Sequence, residues 1–180
     1  MVGVDAAFRW LVVGRARLRE AGVDAALYCA NAEYLPFTAG SFGAVTANDL
    51  VEHVEDPPAV FRECRRVLRP GGPCYVSANN RYSLLPEPHT GVWGAGWMPR
   101  PLQVGYVELI SGRSYRNICL RSGPELERAA RLAGFAGRRV EAAPPASPPE
   151  SWPRGQALYR RLRGWAPMRW IGPRVQLLCR

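Results

Sequence analysis

The sequence predicts an α/β domain built on a mostly parallel sheet, and three features predict it. Short apolar runs alternate with segments of helical periodicity along most of the chain. Polar residues directly follow three of the apolar runs, at Asp5, Asn31 and Asn48. With 180 residues, 47% of them apolar, the chain is long enough to bury one hydrophobic core. We therefore expect one domain with the element order β-α-β-β-α-β-α-β-β.

The first three elements are a strand, a helix and a strand. The segment Met1–Asp5 is short and contains two valines, which is typical of a strand. The segment Arg9–Ala21 has apolar side chains near one face, and Gly22 follows it at the position where helices commonly end. The apolar run Ala25–Cys29 predicts the second strand.

The middle of the chain predicts a third strand, a second helix and a fourth strand. The apolar run Phe42–Ala47 predicts the third strand. Apolar residues recur at helical spacing over Pro58–Leu68, and Arg69-Pro70-Gly71-Gly72 then ends the helix and starts a turn. The fourth strand is predicted at Pro73–Ala78.

The rest of the chain begins with an insertion over residues 79–115 that is rich in proline, glycine and large aromatic residues. Such a loop is expected to fold over something apolar, either as a lid on an acceptor molecule or as a small auxiliary core. A helix is predicted over Pro124–Ala133 with Ser122 as its N-cap, and strands at Gly137–Ala142 and Val175–Cys179. We take residues 1–143 as the domain and the Pro-rich residues 144–153 as a linker.

The composition limits the classes of protein. No cysteine stands in a C-x-x-C pair and only two histidines are present, so we expect no metal site, and unpaired thiols are typical of a reducing cytoplasm. No apolar run approaches the roughly 20 residues needed to span a bilayer. The first residues lack the basic start and apolar region of a signal peptide. The sequence thus predicts a cytoplasmic protein.

The charge is concentrated at the end of the chain. All 24 basic residues are arginines, and against 15 acids they give a net charge of +9. Residues 154–180 contain seven arginines and no acid, interleaved with aromatic residues. This basic segment is either a solvated face or a surface for peripheral contact with an anionic membrane. Nucleic acid is a less favoured partner, because the insertion contains no recognised RNA-binding module.

The polar residues that follow the strands predict a ligand site. In open parallel sheets, ligands bind beyond the carboxyl ends of the strands. Asp5 is placed to accept hydrogen bonds from a ribose diol, and Asn31 can present both donor and acceptor groups to a base edge. Asn48 and Asp49 would lie near the middle of the ligand. Three polar strand ends in series therefore indicate a nucleoside-type cofactor.

Four stretches of the sequence resemble the class I S-adenosylmethionine-dependent methyltransferases, and within them the small-molecule group that includes the ubiquinone-pathway enzymes. They cover most of residues 2–135 in the family's order and spacing, and the resemblance implies a Rossmann-like methyltransferase sheet with an antiparallel C-terminal strand. The stretches are "VGVDAAFRWLVVGRARLREAG", "ANAEYLPFTAGSFGAVTANDLVEHVEDP", "VFRECRRVLRPGGPCYVSANN" and "LERAARLAGF".

The resemblance also implies roles for individual residues toward S-adenosylmethionine. Asp5 would bind the ribose hydroxyls of the cofactor, and Trp10 would line the adenine. Asn31 and Ala32 would contact the adenine edge, where the family more often has Asp in place of Asn31. The backbone of Asn48 would lie near the methionine part. The partner would be a small-molecule acceptor.

The family's glycine-rich loop and the strand before it are not found in the sequence. By the resemblance they should precede Asp5 by about twenty residues, and we expect the chain to be incomplete at its amino end. The strand Met1–Asp5 and the strand Phe42–Ala47 would normally flank that first strand. We therefore expect either two open strand edges or direct pairing of the two halves of the sheet, and weakened cofactor binding in both cases.

Two histidines are the candidate bases for methyl transfer to an acceptor. His53 follows Glu52 after the third strand, and His89 lies in the insertion, where such enzymes build the acceptor pocket. Each could instead be structural, His53 as a residue at a helix start and His89 as an exposed loop residue. A third reading has Asp49, Glu52 and His53 holding a divalent ion.

The predicted function is S-adenosylmethionine-dependent methylation of a small molecule, by O- or C-methylation of an aromatic or lipid-like compound. Two alternatives remain at this point. One is an RNA-binding or RNA-modifying protein, for which the net charge argues. The other is a non-catalytic remnant that has kept the fold without the glycine-rich loop.

Overall fold

A computed structural model describes residues 1–143, 159, 161–162 and 165–180 of the chain. The predicted α/β order is present, with two further helical segments in the insertion and a short helix before the last strand. The elements are β1 (Val2–Asp5), α1 (Phe8–Glu20), β2 (Ala26–Cys29), β3 (Val45–Asn48), α2 (Pro57–Val67), β4 (Cys74–Asn79), a 3-10 turn (Ala95–Trp97), α3 (Arg100–Ser111), α4 (Gly123–Leu132), β5 (Arg138–Ala143), α5 (Met168–Ile171) and β6 (Arg174–Cys179).

The strands form two sheets. β1 and β2 pair in parallel, and the second sheet has the order β3-β4-β6-β5, in which β3 and β4 are parallel and β6 runs antiparallel to both of its neighbours. The predicted fold class, with its antiparallel last strand, is confirmed. Within the described ranges no ladder joins β1 or β2 to β3. Direct pairing of β1 with β3, one of the two arrangements expected for the sheet, is therefore absent among the described residues.

The third strand begins later than the sequence predicted. Phe42 was expected to open it, but β3 starts at Val45. The backbone of Phe42 bonds instead to the end of α2, accepting from Arg69 N at 2.8 Å and donating to Val67 O at 2.9 Å. These bonds hold Phe42 beside the helix end, where it forms only an isolated bridge with Leu68.

The main core lies between the four-stranded sheet and the helices α2 and α4. Phe61 of α2 is fully buried and its ring meets that of Phe135 edge to face, with centroids 6.4 Å apart. β6 contributes Val175 and Leu177, both fully buried. The final strand is therefore an interior strand, and this end of the basic segment belongs to the core.

The insertion folds around a small core of its own. The buried members are Val92, Ala95, Val107 and Tyr115. Helix α3 was not predicted from the sequence, because Pro101 and Gly105 interrupt its apolar pattern and Leu109 is exposed. α3 ends at Gly112, which has φ +66°, a conformation that favours glycine.

The remaining elements follow their local signals. α4 begins with the predicted N-cap: the Ser122 N–H and hydroxyl donate to Glu125 Oε2, each at 2.8 Å, in a capping box. The predicted linker at residues 144–153 lies outside the described residues. Among the helices that the structure describes, none has the length and apolar composition to cross a membrane.

Candidate active site

The carboxyl ends of β1 and β2 present two of the predicted cofactor residues. Asp5 pairs with Cys29 in the ladder, and Asn31 follows two residues later. Asp5 Oδ1 accepts a hydrogen bond from Ala7 N at 2.7 Å and so turns the chain into α1. Oδ2 of Asp5 accepts no hydrogen bond from the described residues. Among the described residues, the local fold therefore uses only one oxygen of this carboxylate.

Asn31 is joined to the start of α2 through Glu33. Its Oδ1 accepts from Glu33 N at 2.9 Å, and its Nδ2 donates to Glu33 Oε2 at 3.3 Å. Glu33 Oε1 in turn accepts from Asp56 N, at the start of α2, at 2.8 Å. Ala32 packs against the main core. Glu33 thus links the loop that follows β2 to the loop that follows β3, even though no ladder joins their strands.

The carboxyl ends of β3 and β4 carry a polar chain that ends on an arginine. Ser77 Oγ donates to Asn48 Oδ1 at 2.9 Å, and Arg174 Nη2 donates to Ser77 Oγ at 3.0 Å. The same Nη2 contacts Asp49 Oδ1 at 2.5 Å. Asn48 itself is exposed at the end of β3.

Trp10 lies on α1 with 56% of its surface exposed. The Arg9 guanidinium lies 5.5 Å from the centroid of its ring, which is within cation–π range. The exposed indole places a large apolar surface in water, and a ligand stacked on the ring would remove that surface from water, which is favourable. The predicted role of Trp10 against the adenine remains a prediction with which this exposure is compatible.

The two candidate bases, His53 and His89, lie against each other. Their ring centroids are 5.2 Å apart at an interplanar angle of 89°. His89 Nδ1 lies 2.5 Å from Glu87 Oε1, and the His89 side chain is 32% exposed while that of Glu87 is 1% exposed. A buried carboxylate at Nδ1 favours the tautomer that carries its proton there. Nε2 of His89 is then left as a proton acceptor.

Glu87 is held by the turn that carries His89. Its Oε2 accepts from His89 N at 3.0 Å, from Thr90 N at 2.8 Å and from Thr90 Oγ1 at 2.8 Å. The carboxylate therefore fixes both the loop and the imidazole. The motif Glu87-Pro88-His89-Thr90 contains all of these groups in four consecutive residues.

Glu52 and Tyr115 are buried side chains near the histidines. Glu52 is 1% exposed; its Oε1 accepts from Asn79 Nδ2 at 3.0 Å, and its Oε2 has no partner among the described residues. Burial raises the pKa of Glu52 above its ordinary value of 4.5, and the negative charge of Asp49 adds to the rise. Burial, reinforced by the charge of Glu87, also raises the pKa of Tyr115. We expect Tyr115 to stay protonated at neutral pH.

The raised pKa of Glu52 predicts a pH-dependent cost to stability. A carboxyl whose folded pKa exceeds its unfolded value of 4.5 holds its proton longer in the folded state, so stability falls as pH rises from about 4.5 toward the folded pKa. Glu52→Gln removes this loss. Urea unfolding is measured at about pH 4.5, about pH 6 and about pH 7.5. The free energy of unfolding of Glu52→Gln, relative to that of the wild type, should increase as pH rises.

Glu63 is the matched control for this measurement. Its hydrogen bond to Arg66 lowers its pKa, so the stability it confers is present above pH 4.5 and is lost below it. The difference in free energy of unfolding between Glu63→Gln and the wild type should stay constant from about pH 6 to about pH 7.5, where the Glu63 carboxyl is ionised in both the folded and the unfolded state. A constant difference for Glu52→Gln as well would contradict the assignment of a raised pKa.

A cavity of about 470 Å³ lies between the insertion and the ends of β4 and β6. This volume is within the range of small-molecule sites. Its walls combine apolar residues with a few polar groups, and Glu87, the partner of His89, is one of them. Its lining includes Asn79, Leu85, Glu87, Leu120 and Arg174.

Sequence reasoning missed three residues of this region. Glu87 could have been found from its place two residues before His89, since a carboxylate at that spacing can bond the ring. Tyr115 carries no local signal, because only the fold of the insertion buries it. Arg174 was assigned to the basic segment, and only the pairing of β6 with β4 brings it beside Asp49. Within the described ranges no three His, Cys, Asp or Glu side chains are grouped to hold a metal ion, and Asp49 is paired with Arg174 instead.

Comparison with known proteins gives a consistent result. Residues 1–76 match the model of a family described as a methyltransferase domain. A ubiquinone biosynthesis O-methyltransferase of Xanthomonas axonopodis pv. citri is 38% identical over 82 residues, which are 45% of this chain and 34% of that protein. The protein of the same name from Aromatoleum aromaticum is 31% identical over 129 residues, which are 69% of this chain and 54% of that protein. The chain thus spans between about a third and about half of these relatives.

Solved structures match nearly the whole chain at lower identity. An S-adenosylmethionine-dependent methyltransferase from Mesorhizobium loti has a TM-score of 0.63 at 20% identity, covering 99% of this chain and 79% of that one. A geranyl diphosphate methyltransferase in complex with its cofactor has a TM-score of 0.58 at 21% identity, covering 99% of this chain and 66% of that one. At these identities the likeness concerns the fold.

Proposed function

This chain belongs to the class I S-adenosylmethionine-dependent methyltransferase family, and we propose that the protein methylates a small aromatic or lipid-like molecule on oxygen or carbon. The observation that carries this proposal is the contact between His53 and His89 over the buried carboxylate of Glu87. It supplies an oriented base beside Glu87, which lines the cavity. The relatives that carry the name O-methyltransferase make a hydroxyl the favoured acceptor.

The residues at the strand ends fit the proposed cofactor. Asp5 has one carboxylate oxygen unused by the described residues, which suits a ribose diol. Asn31 is exposed beside it, and the Trp10 ring is exposed one turn into α1. When bound, S-adenosylmethionine supplies an electrophilic methyl group on a sulfonium. The protein's remaining tasks are to align the acceptor, to exclude water and to remove a proton.

His89 is the proposed base. Nδ1–H of His89 donates a hydrogen bond to Glu87 Oε1, so Nε2 is the atom that takes the proton from the acceptor hydroxyl. As His89 becomes positively charged, the adjacent buried carboxylate stabilises the charge. His53 packs edge-on against His89 and limits the motion of its ring. The proton thus moves from the acceptor oxygen to a nitrogen whose orientation the Glu87 turn has fixed.

The cavity supports an acceptor with an apolar body. Leu85 and Leu120 offer apolar contacts, while Asn79 and Glu87 are polar residues of the lining. Such a combination suits a ring or chain that carries one or two hydroxyl groups. The proposed acceptor class is therefore a phenol or catechol with an apolar substituent.

Asp5 provides the test of the cofactor assignment. Asp5→Asn retains the oxygen that accepts from Ala7 N and replaces the other by an amide nitrogen, which cannot accept a hydrogen bond. Calorimetry with S-adenosylmethionine should show binding weakened by roughly 1.5 to 3 kcal/mol, the scale of hydrogen bonds to charged groups. Asp24→Asn, at an exposed acid beyond α1, is the control and should leave affinity unchanged. Equal affinity for Asp5→Asn and the wild type would remove the ribose role.

A further inference from the structure

We infer that Arg174 is a positioning residue: by pairing with Asp49 it holds the turn that leads from β3 to His53. Arg174 lies at the start of β6, far along the chain from the turn, and neither the family match nor the sequence patterns point to it. Its effect on the backbone can be measured without ligand. Its effect on catalysis rests on the function proposed above.

Asp49 has an unusual backbone conformation. It is the one non-glycine residue among those described with a positive φ, at 50°. This left-handed region is disfavoured for side chains other than Asn and Asp, and a residue stays there only when its surroundings hold it. Such strained residues cluster at functional sites. Here the strained residue immediately follows β3, at the predicted cofactor edge.

Two contacts hold Asp49 in place. Its N–H donates to Ser77 O at 2.9 Å, which continues the β3–β4 ladder, and its Oδ1 lies 2.5 Å from Arg174 Nη2. The same Nη2 donates to Ser77 Oγ at 3.0 Å. The guanidinium is therefore a bridge between the carboxylate of the strained residue and the neighbouring strand.

Arg174 also lies beside Asn79, the residue that holds the far end of the turn at Glu52. It pairs in the ladder with Asn79, whose Nδ2 donates to Glu52 Oε1 at 3.0 Å. The turn is thus fixed at Asp49 through Arg174 and at Glu52 through Asn79. His53 is the next residue, and its N–H donates to Leu50 O at 2.9 Å within the turn. Movement at Asp49 is therefore transmitted to the ring that packs on His89.

The ion pair between Arg174 and Asp49 is less exposed than a typical surface ion pair, so it is expected to stabilise the turn more strongly. The Arg174 side chain is 12% exposed and that of Asp49 is 40% exposed. By contrast, the pair Arg62 and Asp56 has an N–O distance of 3.1 Å with side chains 55% and 53% exposed. Exposed pairs contribute little because water screens them. The second pair is therefore a matched control on the same domain.

The test is a double-variant cycle read by amide hydrogen exchange in the free chain. Arg174→Gln and Asp49→Asn are compared with the double variant; Asn tolerates the left-handed conformation, so Asp49→Asn removes the charge alone. Each single variant should speed exchange at the Asp49 and His53 amides by roughly tenfold, and the double variant no further, because one interaction is lost in all three. Amides of α4 should be unchanged, which separates local release from global unfolding.

Two further comparisons separate the effect of the ion pair between Arg174 and Asp49 from the effect of substitution in general. The cycle of Arg62→Gln with Asp56→Asn should leave the Asp49 and His53 amides unchanged. Arg174→Lys, which keeps a cation, should recover most of the protection. Additive effects of the two single variants, or unchanged exchange in Arg174→Gln, would overturn the inference. If Arg174→Gln unfolds the chain, the exchange of Asp49→Asn and Arg174→Lys decides in the same way.

Catalysis tests the consequence separately. Where turnover is measured, Asp49→Asn should lower kcat by roughly tenfold with the acceptor KM little changed, since Asp49 does not line the proposed acceptor cavity. Arg174→Gln should lower kcat by a similar factor. Absence of cofactor binding in the wild type would defeat the proposed function and leave the exchange result standing. Altered exchange with unchanged kcat would limit Arg174 to a structural role and overturn the catalytic part.

Discussion

His89→Ala is expected to lower turnover by about 100-fold or more while leaving cofactor affinity unchanged. The imidazole is the proposed proton acceptor, oriented at Nδ1 by Glu87, and the His53 ring packs against it. The predicted cofactor residues lie on β1, α1 and β3 and in the loop after β2, outside the insertion that carries His89. Initial rates with labelled S-adenosylmethionine and a panel of alkyl catechols and phenols measure kcat, and calorimetry measures affinity.

The neighbours of His89 provide the controls. Arg113 Nη1 donates to the backbone oxygen of His89 at 3.2 Å without touching the ring, so Arg113→Gln should leave turnover within about twofold. If His53 and His89 act as a unit, the double variant should be no slower than His89→Ala alone. Equal losses of turnover and cofactor affinity in His89→Ala would instead show a structural role, and the base would have to be sought elsewhere.

The regular parts of the fold were predictable because each carries a local signal. α2 was expected over Pro58–Leu68 and lies at Pro57–Val67, since its apolar spacing and the Pro-Gly-Gly turn after it are both local. The N-cap at Ser122 was read from sequence for the same reason. α3 was not predicted, because its proline and glycine interrupt the periodicity and its burial depends on the auxiliary core of the insertion.

The residues of the candidate site likewise include some that carry a local sequence signal and some that only the fold brings together. The polar residues Asp5, Asn31 and Asn48 were found because they directly follow strands, and their roles toward the cofactor remain predictions. Both histidines were identified, yet their contact could not be, since the sequence does not specify how the insertion folds back onto the turn after β3. Arg174 was beyond reach because its place depends on the antiparallel pairing of β6 with β4, which no local pattern encodes.

Gly96→Ala is expected to destabilise the protein by about 3 kcal/mol or more, at the upper end of the cost of overpacking. A Cβ at Gly96 would lie 1.7 Å from the backbone oxygen of Arg81, a distance at which backbone must move. That movement would also break the bond in which Arg81 Nε donates to Gly96 O at 3.0 Å. Urea unfolding measures the loss.

The same substitution tests how the insertion supports the cavity. Gly96 and Arg81 both line it, so separating their backbones should deform the proposed acceptor site while leaving β1 and β2 in place. Gly105→Ala is the matched control: it lies inside α3 with open space around its Cβ position, and alanine should stabilise that helix by about 0.5 to 1 kcal/mol. We expect Gly96→Ala to raise the acceptor KM with cofactor affinity kept. Unchanged stability in Gly96→Ala would mean that the insertion does not pack on Arg81 as the structure has it, and the acceptor site built from that packing would fall with it.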